Sequence, residues 1–202
     1  MKTKGQIIVG ISGASGAIYG IRMLEVLKSI GIETHLIISK AARITIAQET
    51  GYKINQVTDL ADNYYNIDDI AAKISSGSFK TSGMIIIPCS MKTIAEIATG
   101  CTTNLISRAA DVILKERKKL VLSVRETPFN LVHLRNMVSL TEMGAIIAPP
   151  LAAFYPKPQI LDDLINHNIG RILDLFDIEA NIVQRWGGIQ KQKNSYQKTK
   201  KI

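Results

Sequence analysis

Histidine is scarce in this chain: His35, His133 and His167 are all it has in 202 residues. They form no ligand cluster, and no Asp-rich DDxxD clamp occurs, so no metal site is expected. The adjacent pairs Asp68-Asp69 and Asp162-Asp163 suit helix starts better than magnesium sites. Cysteine is as scarce. Cys89 and Cys101 form no CxxC pair, which fits two reduced thiols and a cytoplasmic chain. No apolar run approaches the roughly 18 residues of a membrane span. The start, "MKTKGQIIVG", is too short in apolar residues for a signal peptide.

Net charge is +8, unevenly placed. "IQKQKNSYQKTKKI" at the end holds five lysines and no acid; without them the balance is 20 basic to 17 acidic residues. The reading is one domain over 1–189 with a basic, mobile tail over 190–202. Apart from Tyr196 the tail lacks aromatics, so no nucleic-acid partner is expected.

Short apolar runs alternate with helical periodicity. "QIIVGI", "ETHLIIS", "GMIIIPCS", "KLVLSVRE" and "AIIAPP" read as five strands, the third stopped by Pro88. "AIYGIRMLEVLKSIG", "AARITIAQE", "TIAEIAT", "LISRAADVILKE", "FNLVHLRNMVSLTEMG" and "ILDDLINHNIGRILDLF" read as helices, and "IDDIAAKI" as a weaker one. Continuous apolar strands between helices imply a parallel sheet buried on both faces. The expected fold is an α/β three-layer α/β/α sandwich, flavodoxin-like or Rossmann-like.

Such sheets bind ligands at the carboxyl ends of their strands. The segments there are Ser12 to Gly16, Ser39-Lys40, Pro88 to Thr93, Arg125 to Pro128, and Pro149-Pro150 leading to Phe154-Tyr155. All are polar, small or basic, which suits an anion. GxGxxG, GxxxxGK[ST] and GxSxG all fail in the first loop. Gly13 and Gly16 still permit tight turns. The amides opening the next helix, with the hydroxyls of Ser12 and Ser15, favour an anion there. Plain capping by Ser and Gly is the alternative. Strand two ends in Ser39, where a dinucleotide site commonly has Asp or Glu, and this favours a mononucleotide such as FMN.

Seven motifs then carry a resemblance. "GISGASGAIYG", "ISKAA", "PCSMKT", "RAADVILKERKKLVL", "RETPF", "AFYPKPQ" and "RWG" resemble the UbiX-type flavin prenyltransferases from about residue 6 to Gly187. The resemblance implies metal-free transfer of a dimethylallyl group from dimethylallyl monophosphate to N5 and C6 of reduced FMN. It also implies delivery of prenylated FMN to a UbiD-type decarboxylase, often in ubiquinone synthesis, and a homododecamer with sites at subunit junctions. Implied FMN contacts are Gly13, Ala14, Ser15, Ser39, Ser90, Met91, Lys92, Thr93 and Arg125. Implied prenyl-phosphate contacts are Lys115, Arg125, Glu126, Tyr155 and Arg171. Ser15, Glu49, Glu126 and Trp186 are the implied catalytic residues.

The residue types suit that chemistry. Lys115, Arg125 and Arg171 would hold a leaving phosphate, with Tyr155 donating to it. Glu126 would protonate the phosphate, Trp186 would face the allyl cation, and Glu49 would manage protons at the flavin. Each has a plainer alternative: Lys115 and Arg171 as solvated helix charges, Glu126 and Glu49 as helix ends, Trp186 and Tyr155 as packing. Competing readings are a peptidyl-cysteine decarboxylase, disfavoured because "AARITIAQE" lacks histidine, a flavin carrier without catalysis, and a tail-dependent RNA binder.

Overall fold

A computed structural model describes residues 5–188; the expected basic tail lies outside the described residues. Six strands form one parallel sheet: β1 (Gln6–Ile11), β2 (Glu33–Ile38), β3 (Asn63–Tyr65), β4 (Gly83–Cys89), β5 (Lys119–Val124) and β6 (Ile146–Ile147). Their order is β3-β2-β1-β4-β5-β6. Leaving aside the three-residue edge strand β3, the other five follow the flavodoxin-like order.

Seven helices connect and cover the strands: α1 (Ala17–Ser29), α2 (Lys40–Glu49), α3 (Ile54–Thr58), α4 (Met91–Ala98), α5 (Leu105–Lys115), α6 (Leu131–Glu142) and α7 (Leu161–Asp174). Side chains alternate along each strand and split the core in two. Ile7, Val9, Leu36, Ile38, Ile85 and Ile87 pack with α1, α2 and α7. Ile8, Ile37, Met84, Ile86, Leu120 and Leu122 pack with α4 and α5, and with Leu140 of α6. The expected three layers are present. Among the described residues, no helix is long and apolar enough to cross a membrane.

Two local expectations fail, one strand is shorter than its apolar run, and two short elements come in addition. "IDDIAAKI" is no α-helix: turns run from Asn66 to Ala72, followed by a 3-10 turn at Lys73–Ser75. Its Ile67 and Ile74 are buried, but Ile70 is exposed, so the helical spacing has no face to bury. Pro88 does not stop β4, which continues to Cys89 through a register irregularity between Ile86 and Cys89; proline is tolerated in a strand at such a bulge. β6 pairs only over two residues. The short elements β3 and α3 were not foreseen.

Candidate active site

The chain leaves β1 for β2 on one side and returns to β4 on the other, so the crevice above β1 and β4 is the topological switch point. A cleft of about 560 Å³ opens beside it, lined by Gly13, Ser39, Lys40, Ser90, Thr93 and Asn104 among others. Three helices begin at this cleft: α5, capped by Asn104, and two capped by serine. The Ser39 hydroxyl caps α2 by accepting from the Ala42 amide at 3.0 Å. The Ser90 hydroxyl caps α4 by accepting from the Thr93 amide at 3.3 Å. Both helix starts present positive dipole ends to the same space. Gly13 lets the first loop lie against α2: a Cβ there would collide with the Ala41 Cβ.

The first loop itself differs from expectation. Ser12 is buried and offers no hydroxyl to a ligand. Its Oγ donates to the Pro88 carbonyl and accepts from the Ser90 amide, both at 2.8 Å, bracing the first loop to the third. The amides at the start of α1 are occupied as well. Glu49 Oε2 accepts from the Gly16 amide at 2.8 Å and the Ala17 amide at 3.1 Å. Gly16 at the N-cap has φ 98°, a left-handed conformation that glycine adopts without strain. The anion at this helix end is therefore the chain's own carboxylate, because glycine has no side chain to cap with. Burial alone would raise the Glu49 pKa. Hydrogen bonds from Gly16, Ala17 and Ser15, with the Arg125 charge, outweigh it and hold the carboxyl below its ordinary value.

Arg125 follows β5, and its amide donates to the Cys89 carbonyl at 3.1 Å. Its charge reaches both Glu49 and Tyr19, so Ser15, Glu49 and Arg125 share one corner of the rim. Glu126 beside it is exposed and does not cap α6; the Asn130 side chain does. Ala14 is buried, and the Met91 side chain packs on the core beneath α4. Lys92 is exposed and pairs with Glu96 at 3.0 Å.

The remaining expected residues lie elsewhere. Tyr155 stands edge-to-face between His167, at 5.5 Å, and Trp186, at 5.6 Å between ring centres. Trp186 is 62% exposed, which rules it out as core packing. His167 is buried, and burial together with the Arg171 charge pushes its pKa down. Arg171, in the last turn of α7, donates to Asp174 at 2.7 Å. Asp174 also takes both Arg185 terminal nitrogens, at 3.1 and 2.8 Å. Arg185 and Arg171 together outweigh burial and hold Asp174 below the usual carboxylate range. Lys115 ends α5 and pairs with Glu116 near the amino edge of the sheet, the rim opposite the cleft. One chain thus gathers Gly13, Ser39, Ser90, Lys92 and Thr93 at the cleft and Ser15, Glu49 and Arg125 at its corner. It holds Tyr155, Trp186 and Arg171 on a separate aromatic shelf, and Lys115 apart from both.

Sequence reasoning put Lys40 on the anion-binding rim but missed Asp68, Glu96 and Asn104 at the cleft, and His167 and Arg185 under the shelf. "SKAA" and "RWG" already contained Lys40 and Arg185. Asp68 sits in a turn whose placement depends on the fold, while Asn104 is the N-cap of α5.

Comparison with known proteins gives the family and the same fold. The Flavoprotein family model matches residues 1–187. A Bacillus subtilis probable UbiX-like flavin prenyltransferase is 54% identical over 190 residues, covering 94% of this chain and 93% of that protein. The crystal structure of AnUbiX (PadA1) in complex with FMN and dimethylallyl pyrophosphate superposes with a TM-score of 0.92 at 50% identity, covering 93% of this chain and all of that one. The dodecameric FMN-dependent UbiX-like decarboxylase of Escherichia coli gives a TM-score of 0.89 at 49% identity, covering 91% of this chain and all of that one. With a parallel sheet of this order, a switch-point cleft flanked by two serine-capped helices, and such identity along nearly its whole length, the chain belongs to the UbiX-type flavin prenyltransferases of the flavoprotein family.

Proposed function

We propose that this chain joins the dimethylallyl group of dimethylallyl monophosphate to N5 and C6 of reduced FMN, without a metal, and that a UbiD-type decarboxylase uses the prenylated product. The observation that carries this reading is the cleft at the switch point, where Ser39 and Ser90 open two helices toward one space. Its volume lies within the roughly 300–1,000 Å³ of small-molecule sites. Its donor set, hydroxyls and helix-start amides with lysines at the rim, suits the phosphate and ribityl chain of FMN. Bound there, reduced FMN supplies the nucleophilic atoms.

The chain's own residues do the rest. Gly13, Ala14 and Ser15 set the wall against the flavin, and Ser39 with Ser90, Met91, Lys92 and Thr93 holds its phosphate end. Glu49 is ionised at neutral pH and is therefore a proton acceptor at the flavin edge. Arg125 at the same corner stabilises the departing phosphate, each preorganised donor contributing roughly 3–4 kcal/mol. Glu126 protonates that phosphate. Tyr155 and Arg171 bind it, and Trp186 faces the allyl cation.

In a single chain these last residues stand away from the cleft, so a second copy completes the site. Exposed apolar side chains support assembly: Leu131, Val132, Leu134 and Val138 on α6, and Leu151, Phe154 and Leu161 beside the shelf. We read the assembly as a homododecamer, with Lys115 serving a neighbouring copy's site. Residues 1–189 then form one FMN-binding domain.

Incubation with reduced FMN and dimethylallyl monophosphate, without oxygen, should increase the flavin mass by one dimethylallyl unit. No gain rejects the reading. Dimethylallyl pyrophosphate run in parallel identifies the donor, since this chain has no Asp-rich clamp for a metal-bound diphosphate.

A further inference from the structure

Charge in the cleft is paired before any ligand arrives. Lys40 Nζ lies 2.8 Å from Asp68 Oδ2, and Lys92 Nζ lies 3.0 Å from Glu96 Oε1. All four residues line the cleft. A phosphate entering it meets no unpaired cation among these four, and recruiting one to it opens a pair.

The two pairs are unequal. Glu96 also accepts from Thr103 Oγ1 at 3.0 Å and from Asn104 Nδ2 at 3.1 Å. Lys92 can therefore leave without stranding it. The Asp68 carboxylate has Lys40 as its one hydrogen-bond or ion-pair partner among the described residues. The turn that carries Asp68 is fixed: Ile67 is buried, and its carbonyl accepts from the Leu105 amide at 2.8 Å. Opening this pair moves two exposed side chains and no backbone. Lys40 is also the first residue of α2, where the helix dipole disfavours a cation. An anion beside it offsets that cost, and either Asp68 or a ligand phosphate fills the role.

We propose that the Lys40–Asp68 pair is a charge latch on the cleft: Lys40 turns from Asp68 to the phosphate of an incoming flavin mononucleotide, and Asp68 takes it back as the flavin leaves. This rests on the cleft being the FMN site. Asp68 is then a competitor of the phosphate and weakens binding of phosphorylated flavins specifically. Such a device suits a protein whose flavin is a product to be released.

The test is a binding titration of the full chain with oxidised FMN and with riboflavin, read by flavin fluorescence. Asp68→Asn should lower the FMN Kd about two- to five-fold, the range of an exposed ion pair. Lys40→Met should raise it, and Asp68→Asn should then add nothing. Riboflavin, without the phosphate, should be indifferent to both changes. Equal thermal unfolding of the variants and the parent shows that the fold is kept. An FMN affinity that Asp68→Asn leaves unchanged or weakens overturns the latch, as does a riboflavin shift as large as that of FMN. If the parent chain binds FMN while Asp68→Asn is silent, only the latch falls. If the parent binds no FMN, the cleft reading falls with it.

Discussion

Around the cleft, Ser12, Ser39, Ser90 and Glu49 all commit their side-chain oxygens to backbone amides or carbonyls of the same chain. From Leu151 to Trp186 the pattern reverses. Phe154 is 77% exposed, Leu151, Leu161 and Trp186 are nearly as open, and Arg171 and Arg185 both turn to Asp174. The cleft is preorganised by a single subunit, because loops one, two and three brace one another across β1, β2 and β4. The shelf has its rings in place but leaves apolar surface facing outward, as a surface does that is finished by another molecule. On the proposed reading the contrast makes flavin binding a property of one subunit and completion of the prenyl-donor site a property of the assembly, and it can be broken from either side.

The largest effect should come from the shelf. Phe154→Asp replaces its most exposed ring with a charge and should split the assembly, seen by light scattering. Prenyl transfer should vanish while FMN binding persists. Unaltered assembly and turnover would mean that the shelf is an ordinary surface. Next, Glu49→Gln should keep FMN and lower turnover about 10²-fold or more, the usual share of a positioned acid or base. Full turnover in this variant would leave Glu49 as a helix cap alone. Tyr155→Phe should follow, raising the KM for dimethylallyl monophosphate about ten-fold, as expected for one hydrogen bond to a charged group. Its FMN affinity should stay unchanged. A parallel loss of FMN binding would show that the two regions are not separable.

Glu49 also gives a pH signature. Its folded pKa lies below the ordinary value of 4.5, so its stabilisation is fully present above that value and is lost as pH falls through the folded one. Glu49 is exposed, and solvent screening limits the contribution to about 1 kcal/mol. The difference in Tm between the parent and Glu49→Gln should be constant from pH 5 upward, to within about 1 °C on this scale. It should close at more acid pH. A gap that widens in acid would reverse the assignment.

The same contrast explains what was legible beforehand. Buried parallel strands are written as apolar runs, so β1, β2, β4 and β5 stood out, and the three layers followed from them. Ser39 and Ser90 were legible because an N-cap lies next to the helix it caps. Glu49 as the cap of α1 was not, since its partners lie 33 and 32 residues away. Ser12 misled for a related reason: a serine beside glycines resembles a ligand donor until Pro88 and Ser90 close over it. β3, "NYY", is a three-residue edge strand with too short a pattern to register. The 67–74 stretch had helical spacing, but the core takes Ile67, Ala72 and Ile74 and leaves Ile70 outside.

Ser12 offers a test on the cleft side of the comparison, read in stability and binding and not in turnover. The Ser90 amide donates to its hydroxyl, and the Pro88 carbonyl accepts both that hydroxyl and, at 3.2 Å, the Ser12 amide. Ser12→Ala therefore leaves Pro88 one partner and Ser90 none, in a buried place. An unsatisfied amide of this kind costs about 1–3 kcal/mol. For a domain of this size, Tm should fall by about 2–4 °C for each 1 kcal/mol. FMN affinity should weaken with it if, as proposed, the helix that Ser90 opens faces the phosphate, while assembly stays intact. A stable Ser12→Ala variant with unaltered FMN binding would mean that the first and third loops are positioned by the sheet alone, and the cleft would then be no more braced than the shelf.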